Sequence, residues 1–173
     1  MKKWSLLLVL MLIIAAFAVT AQAATVPEDV EWIELDSKED FLEWFGNTTK
    51  AKNLTENYTA GMTRYYKLTG DITIDVDSTV YYLSMSTYQV NTYFDLNGHT
   101  LTYASPKATG ATRFFGSYNE KTTHTFVNGT FVNQSAITGS NGGLFFMNKG
   151  ALVMEDLTIN DRPDTAYTAS GRV

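Results

Sequence analysis

Two histidines are the only side chains here whose ordinary pKa lies near neutrality, and there is no cysteine to serve as nucleophile, thiolate ligand or disulfide partner. His99 sits in the run Asn97-Gly98-His99-Thr100. As a general base it needs a carboxylate within reach. Asp95 is near in sequence, but the spacing does not make the two meet, so a solvent-facing turn residue is the plainer reading. His124 aligns with Phe94 and Leu152 of similar segments. That points it inward or to a rim, as a packed, hydrogen-bonded side chain rather than a base. Asp71, Asp75 and Asp77 alternate and fall on one strand face. Such a row of oxygens suits Ca2+, although the glycine spacing of a calcium loop is missing. An ordinary solvated face is the plainer account. Glu155, Asp156, Asp161 and Asp164, with Arg162 among them, form a second loose acidic group, where acid–base chemistry would be sought. Paired carboxylates for glycoside hydrolysis need a defined separation in space, which spacing along the chain does not supply. No catalytic, cofactor-binding or metal residue is therefore assigned, and Ca2+ is the one cofactor the Asp row allows.

Tyr81, Tyr82, Tyr88 and Tyr93 alternate partly away from the expected interior, and exposed rings on a β face can stack on sugar rings. Laddering with neighbouring strands is the plainer account. Sequons stand at Asn47, Asn53, Asn57, Asn128 and Asn133 and matter only in a eukaryotic secretory pathway.

The elements that must position these residues begin after an address. Lys2 and Lys3, the apolar run from Leu6 to Val19 and the small-residue pattern Ala21-Gln22-Ala23 predict a cleaved signal peptide over residues 1–23. The run is shorter than the ~20 residues a membrane span needs. The product is expected to be secreted or held at the cell surface. With 45% hydrophobic and 18% charged residues, the rest is not a disordered tail. A net charge of −5 argues against a nucleic-acid surface. Residues 26–35 read as a leader strand. Ser37 and Asp40 stand at capping-box spacing, with Phe41, Leu42, Trp44 and Phe45 on one face and Gly46 as a stop. This predicts a short helix over 37–46. Residues 47–63 read as a long polar surface loop, and no second helical pattern follows. From Tyr66 the period is two, with strands over 66–74 and 79–88 and more to the end.

Internal repetition organises the rest. Residues 94–101, 124–131 and 152–159 align without gaps, placing Leu96, Phe126 and Met154 in one apolar column, Leu101, Phe131 and Ile159 in a second and Thr100, Thr130 and Thr158 in a third. Leu68 lies one unit before Leu96. Arg113-Phe114-Phe115-Gly116 matches Leu144-Phe145-Phe146-Met147, and Gly171 opens another instance. Such units bury their apolar sides by stacking. Phe126 is then interior and Thr122 lies in a loop. Asn97-Gly98 and Asn128-Gly129 also suit hairpins of an antiparallel meander or sandwich; the preserved columns favour an all-β parallel solenoid.

The phrases FDLNGHTLT (94–102), HTFVNGTF (124–131) and GGLFFMNKGALVMEDLTIND (142–161) resemble coils of right-handed parallel β-helix proteins, the pectin lyase-like superfamily. The last is similar to repeats of bacterial surface and adhesin-like β-helix proteins. The resemblance covers about residues 64–173. The early helix followed by YYKLTGDITI (65–74) is similar to the cap and first coil of such proteins. It implies three to four coils over 64–173, preceded by a leader strand, capping helix and loop over 24–63, in an N-terminal fragment of a longer, bacterial protein with further coils downstream. The lyases of this superfamily hold Ca2+ on clustered Asp residues beside an Arg or Lys base, and this sequence does not reproduce that set. The function expected is a non-catalytic, structural or adhesive surface module that contacts polysaccharide or cell-surface glycan. The alternative is the N-terminal part of a secreted polysaccharide lyase or glycoside hydrolase.

Overall fold

The structure, a computed structural model, describes residues 25–46, 50–76, 80–106, 113–135 and 143–160. The expected signal peptide, Asn47, Asp77, Asp161, Arg162, Asp164 and Gly171 lie outside the described residues. Runs rich in Tyr, Phe, Thr and Val favour strands because branched and aromatic side chains fit a pleated, half-buried surface. A leader strand β1 (Trp32–Leu35) precedes a first winding of β2 (Met62–Leu68), β3 (Ile72–Ile74) and β4 (Tyr81–Ser84). The second winding is β5 (Val90–Asp95), β6 (Thr100–Tyr103) and β7 (Arg113–Ser117). In the third, β8 (Thr123–Asn133) runs along two sides before β9 (Gly143–Met147), and β10 (Ala151–Asn160) opens a fourth. Every strand pairs parallel with its counterpart one winding away. One sheet runs β1-β2-β5-β8, with β3-β6 joined through β8 and β10 on β8; a second runs β4-β7-β9. The chain is a parallel β-solenoid of about four turns, not a meander of hairpins.

The register confirms some columns and corrects others. Leu101 pairs with Phe131, which pairs with Ile159, and the three Thr residues beside them also align. Phe126 pairs with Met154 as expected, but its partner on the other side is Phe94, not Leu96. Tyr66, Phe94 and Phe126 form a stack of nearly parallel rings with centroids 5.6 and 5.5 Å apart. The reason is a corner of unequal length. Leu96, Asn97, Gly98 and His99 turn the chain in the second winding where Asn128 and Gly129 suffice in the third. The phenylalanine pairs are also displaced by one position: Phe115 meets Phe145, and Gly116 meets Phe146.

Asn97, Asn128 and Asp156 take φ values of 51°, 59° and 51° at these corners, a left-handed conformation that Asn and Asp tolerate better than other side chains. Gly129 is needed for a different reason. A Cβ there would lie 2.3 Å from Leu96 Cβ and 2.7 Å from the His99 carbonyl oxygen.

The interior is closed at the first winding by the segment between β1 and β2. Helix α1 (Lys38–Phe45) starts where Ser37 Oγ accepts the Asp40 amide at 3.2 Å. The same hydroxyl donates to the Asp40 carboxylate and holds it below its ordinary pKa. Phe41 and Phe45 are fully buried. Phe41 contacts Tyr81, Phe114 and Phe115; Phe45 contacts Tyr66, Phe94 and Phe115. Burying each ring stabilises by roughly 1.5–3 kcal/mol. The expected polar loop contains a second helical turn, α2 (Lys52–Thr55), and it is not all surface: Asn53 and Leu54 are buried. Asn53 donates to the carbonyls of Tyr82 and Leu83 on the edge strand β4 and accepts from the Tyr66 hydroxyl. Its own carbonyl accepts from Arg64 Nε. β1 along β2 and Asn53 against β4 cover part of the first winding's backbone against pairing with another chain.

Candidate functional site

The two histidines have different surroundings. His99 Nδ1 lies 3.4 Å from Asp71 Oδ1, with the two side chains 34% and 72% exposed. Asp71 also accepts the Thr100 amide, so it organises the corner. Asp95 is buried and turned elsewhere, accepting the Asn97 amide at 2.7 Å and Asn128 Nδ2 at 3.2 Å. His124 is fully buried, as its alignment suggested. Its Nε2 is 3.0 Å from Ser117 Oγ, which is 2.7 Å from Ser84 Oγ, which is 3.2 Å from Thr122 Oγ1. Thr122 donates its one proton to the Asn119 carbonyl. Ser84 must then donate to Thr122, Ser117 to Ser84, and His124 Nε2–H to Ser117. The proton-bearing nitrogen faces the serine, so this histidine does not activate it as a nucleophile. Nδ1 has no partner. Burial lowers the His124 pKa from 6.5 to about 4, because a buried imidazolium would lose its hydration. Thr122, expected in an open loop, is buried within this network.

The acidic rows are also dispersed. Asp75 pairs with Lys38 at 3.0 Å, and that hydrogen bond and charge lower its pKa. Glu155 and Asp156 are exposed on β10. Among the described residues, no group of three or more His, Asp or Glu is arranged to hold a metal. Of the sequon asparagines described, Asn53 and Asn133 are buried, whereas Asn57 and Asn128 are exposed. Among the described residues, no helix is long and apolar enough to cross a membrane.

The aromatic residues gather more coherently. Tyr81 belongs to the core. Tyr82 packs on Tyr118 and Tyr88 on Tyr58. Tyr93 joins an outward column with two residues, Trp32 and Tyr65, outside the expected set of exposed tyrosines. Trp32, Tyr65 and Tyr93 occupy successive strands in register, with centroids 5.8 Å from Trp32 to Tyr65 and 5.9 Å from Tyr65 to Tyr93. All three are half-buried. The separation of 28 residues between Tyr65 and Tyr93, equal to that between Leu68 and Leu96, was the available signal.

An open depression of about 290 Å³ runs beside this column, lined by Pro27, Thr63, Tyr65, Asn91, Thr92, Tyr93, Thr123 and Thr125. A larger one, of about 520 Å³, lies toward α1 and α2 and is lined by Trp44, Lys52, Glu56, Arg64 and Ile33, among others. The two share Thr63 and Tyr65. Arg64 and Lys52 lie over the Trp44 ring, 5.4 and 5.7 Å from its centroid. Burial, and then the charges of Asp95 and Glu155, raise the Tyr93 phenol pKa. The rings offer flat apolar surface and the flanking Thr residues offer hydroxyls, the mixture that apolar-faced, hydroxyl-rimmed ligands match.

No family model, curated protein or solved structure matches this chain.

Proposed function

We propose that the chain is an exported, non-catalytic β-helix module of a secreted or surface protein, in which the solenoid serves as a rigid platform and its outer sheet face contacts glycan. The observation that carries this reading is the outward column of Trp32, Tyr65 and Tyr93, one ring per strand. Aromatic faces accept the C–H side of a pyranose ring, while Thr63 and Thr123 sit exposed beside them for its hydroxyls. His124, buried and directed to Ser117, supports a packing role for that side chain. In this reading the chain sides with the surface and adhesin-like β-helix proteins of the pectin lyase-like superfamily that its phrases resemble. Residues 1–23 direct its export. The half-exposed Met154 and Ile159 on β10, which carry on two interior columns, would be covered by a further winding.

Co-sedimentation of the full chain with insoluble cellulose, chitin, xylan and cross-linked polygalacturonate tests the proposal. Binding to at least one, at least tenfold weaker for Tyr93→Ala, is expected, with no release of unsaturated ends. Absence of binding to all four refutes the glycan contact. Unsaturated product with or without Ca2+ refutes the non-catalytic reading in favour of the lyase.

A further inference from the structure

The two depressions that meet at Thr63 and Tyr65 form one trough. It starts at Trp44, crosses β2 and β5 and ends at Thr123 and Thr125 on β8. Its direction is that in which windings stack, so an extended polymer lying in it meets a new strand about every 4.8 Å. Accessible acids outnumber accessible cations along it. Glu31 and Glu56 are exposed at the Trp44 end. The cations there are already engaged. Arg64 is 6% exposed and donates to the carbonyls of Asn53 and Glu56. Lys52 pairs with Glu43. Farther along, Lys67 stands in register between Glu34 and Asp95, and Glu155 adds to the negative field felt at Tyr93. A carboxylate entering this trough would give up hydration and meet more acids than cations. A hydroxylated, uncharged chain loses nothing of that kind.

Resting on the glycan reading above, we infer that the trough binds a neutral, extended oligosaccharide lying along the stacking axis from the Trp44 cleft to Thr125, and that it excludes uronate polymers. Selectivity comes from the excess of accessible acids, and affinity from the Trp32–Tyr65–Tyr93 column and Trp44. Calorimetric titration of the full chain with cellohexaose, xylohexaose, mannohexaose and hexagalacturonate tests this. At least one neutral hexamer should bind, its trimer at least fivefold more weakly, and hexagalacturonate at least tenfold more weakly. Thr63→Arg, at an exposed position where the depressions join, should weaken the neutral hexamer at least tenfold while the circular dichroism spectrum is unchanged. Hexagalacturonate binding as tightly as the best neutral hexamer, with the Tyr93→Ala loss intact, overturns the charge inference and leaves the glycan reading standing. Neutral binding indifferent to Thr63→Arg overturns the path. No hexamer of either kind binding overturns both readings.

Discussion

Acid should weaken this fold through one buried side chain. In the folded chain His124 stays neutral down to about pH 4, whereas exposed on unfolding it titrates at its ordinary 6.5. A depressed histidine means that the unfolded state binds the proton first. Stability is complete above pH 6.5, falls as the pH drops through the interval, and stops falling from this source below about 4. The full shift corresponds to about 3 kcal/mol, of which about 2.5 kcal/mol has gone by pH 4.5. That is a large part of the 5–15 kcal/mol typical of a domain. No neighbour offsets it: Thr92 and Leu152 flank His124 in register and Ser117 faces it, none of them charged. Asp40 and Asp75 have lowered pKa values, so their stabilising effect is lost below this window. Urea denaturation followed by circular dichroism at pH 7.5, 6.5, 5.5 and 4.5 should show the loss in the native chain. His124→Gln, which keeps a donor toward Ser117, should be flatter by about 2.5 kcal/mol across the same range. Parallel pH profiles for the two proteins would show that His124 is not buried neutral.

Phe126→Ala should lower stability by about 3–5 kcal/mol, since the ring is fully buried between Phe94, Phe115, Phe131 and Phe145; the urea midpoint measures it, and a loss under 1 kcal/mol would contradict the column. Gly129→Ala should cost more than Gly98→Ala: the first forces a Cβ into Leu96, whereas the second enters open space with strain from its positive φ alone, about 1 kcal/mol. Thermal melts rank the two, and a reversed order would overturn the corner geometry. Thr122→Val removes the acceptor of the Ser84 hydroxyl and should cost about 1–3 kcal/mol; a neutral outcome would show that the polar chain is not closed.

The solenoid was legible because successive windings keep similar lengths, so Leu101, Phe131 and Ile159 align at a glance. The Leu96 error has a definite origin. Phe94 and Phe126 are 32 residues apart while Leu101 and Phe131 are 30 apart, and a gap-free alignment must misplace one pair. Nothing local says that the two extra residues belong to the Leu96–His99 corner. The doubled phenylalanines were ambiguous because either ring can point inward, and a shift by one exchanges faces. Helix α2 was invisible because its four residues make barely one turn, too few for a periodic pattern to repeat. Asn53 reads as a loop sequon until its amide is seen bonded to β4. The candidate site was only half legible: Tyr93 stands among alternating tyrosines, but Trp32 and Tyr65 carry no such mark, since the repeated columns are defined by inward apolar residues.

The unequal corners carry a broader consequence. Because Leu96 to His99 make in one winding the corner that Asn128 and Gly129 make in the next, girth can vary from one layer to the next without disturbing the pairing of the straight runs on either side. Insertions and deletions at this seam would therefore be absorbed locally. Such a seam lets a stacked protein acquire new surface loops at one edge while the neighbouring faces, including the one bearing the exposed rings, keep their alignment.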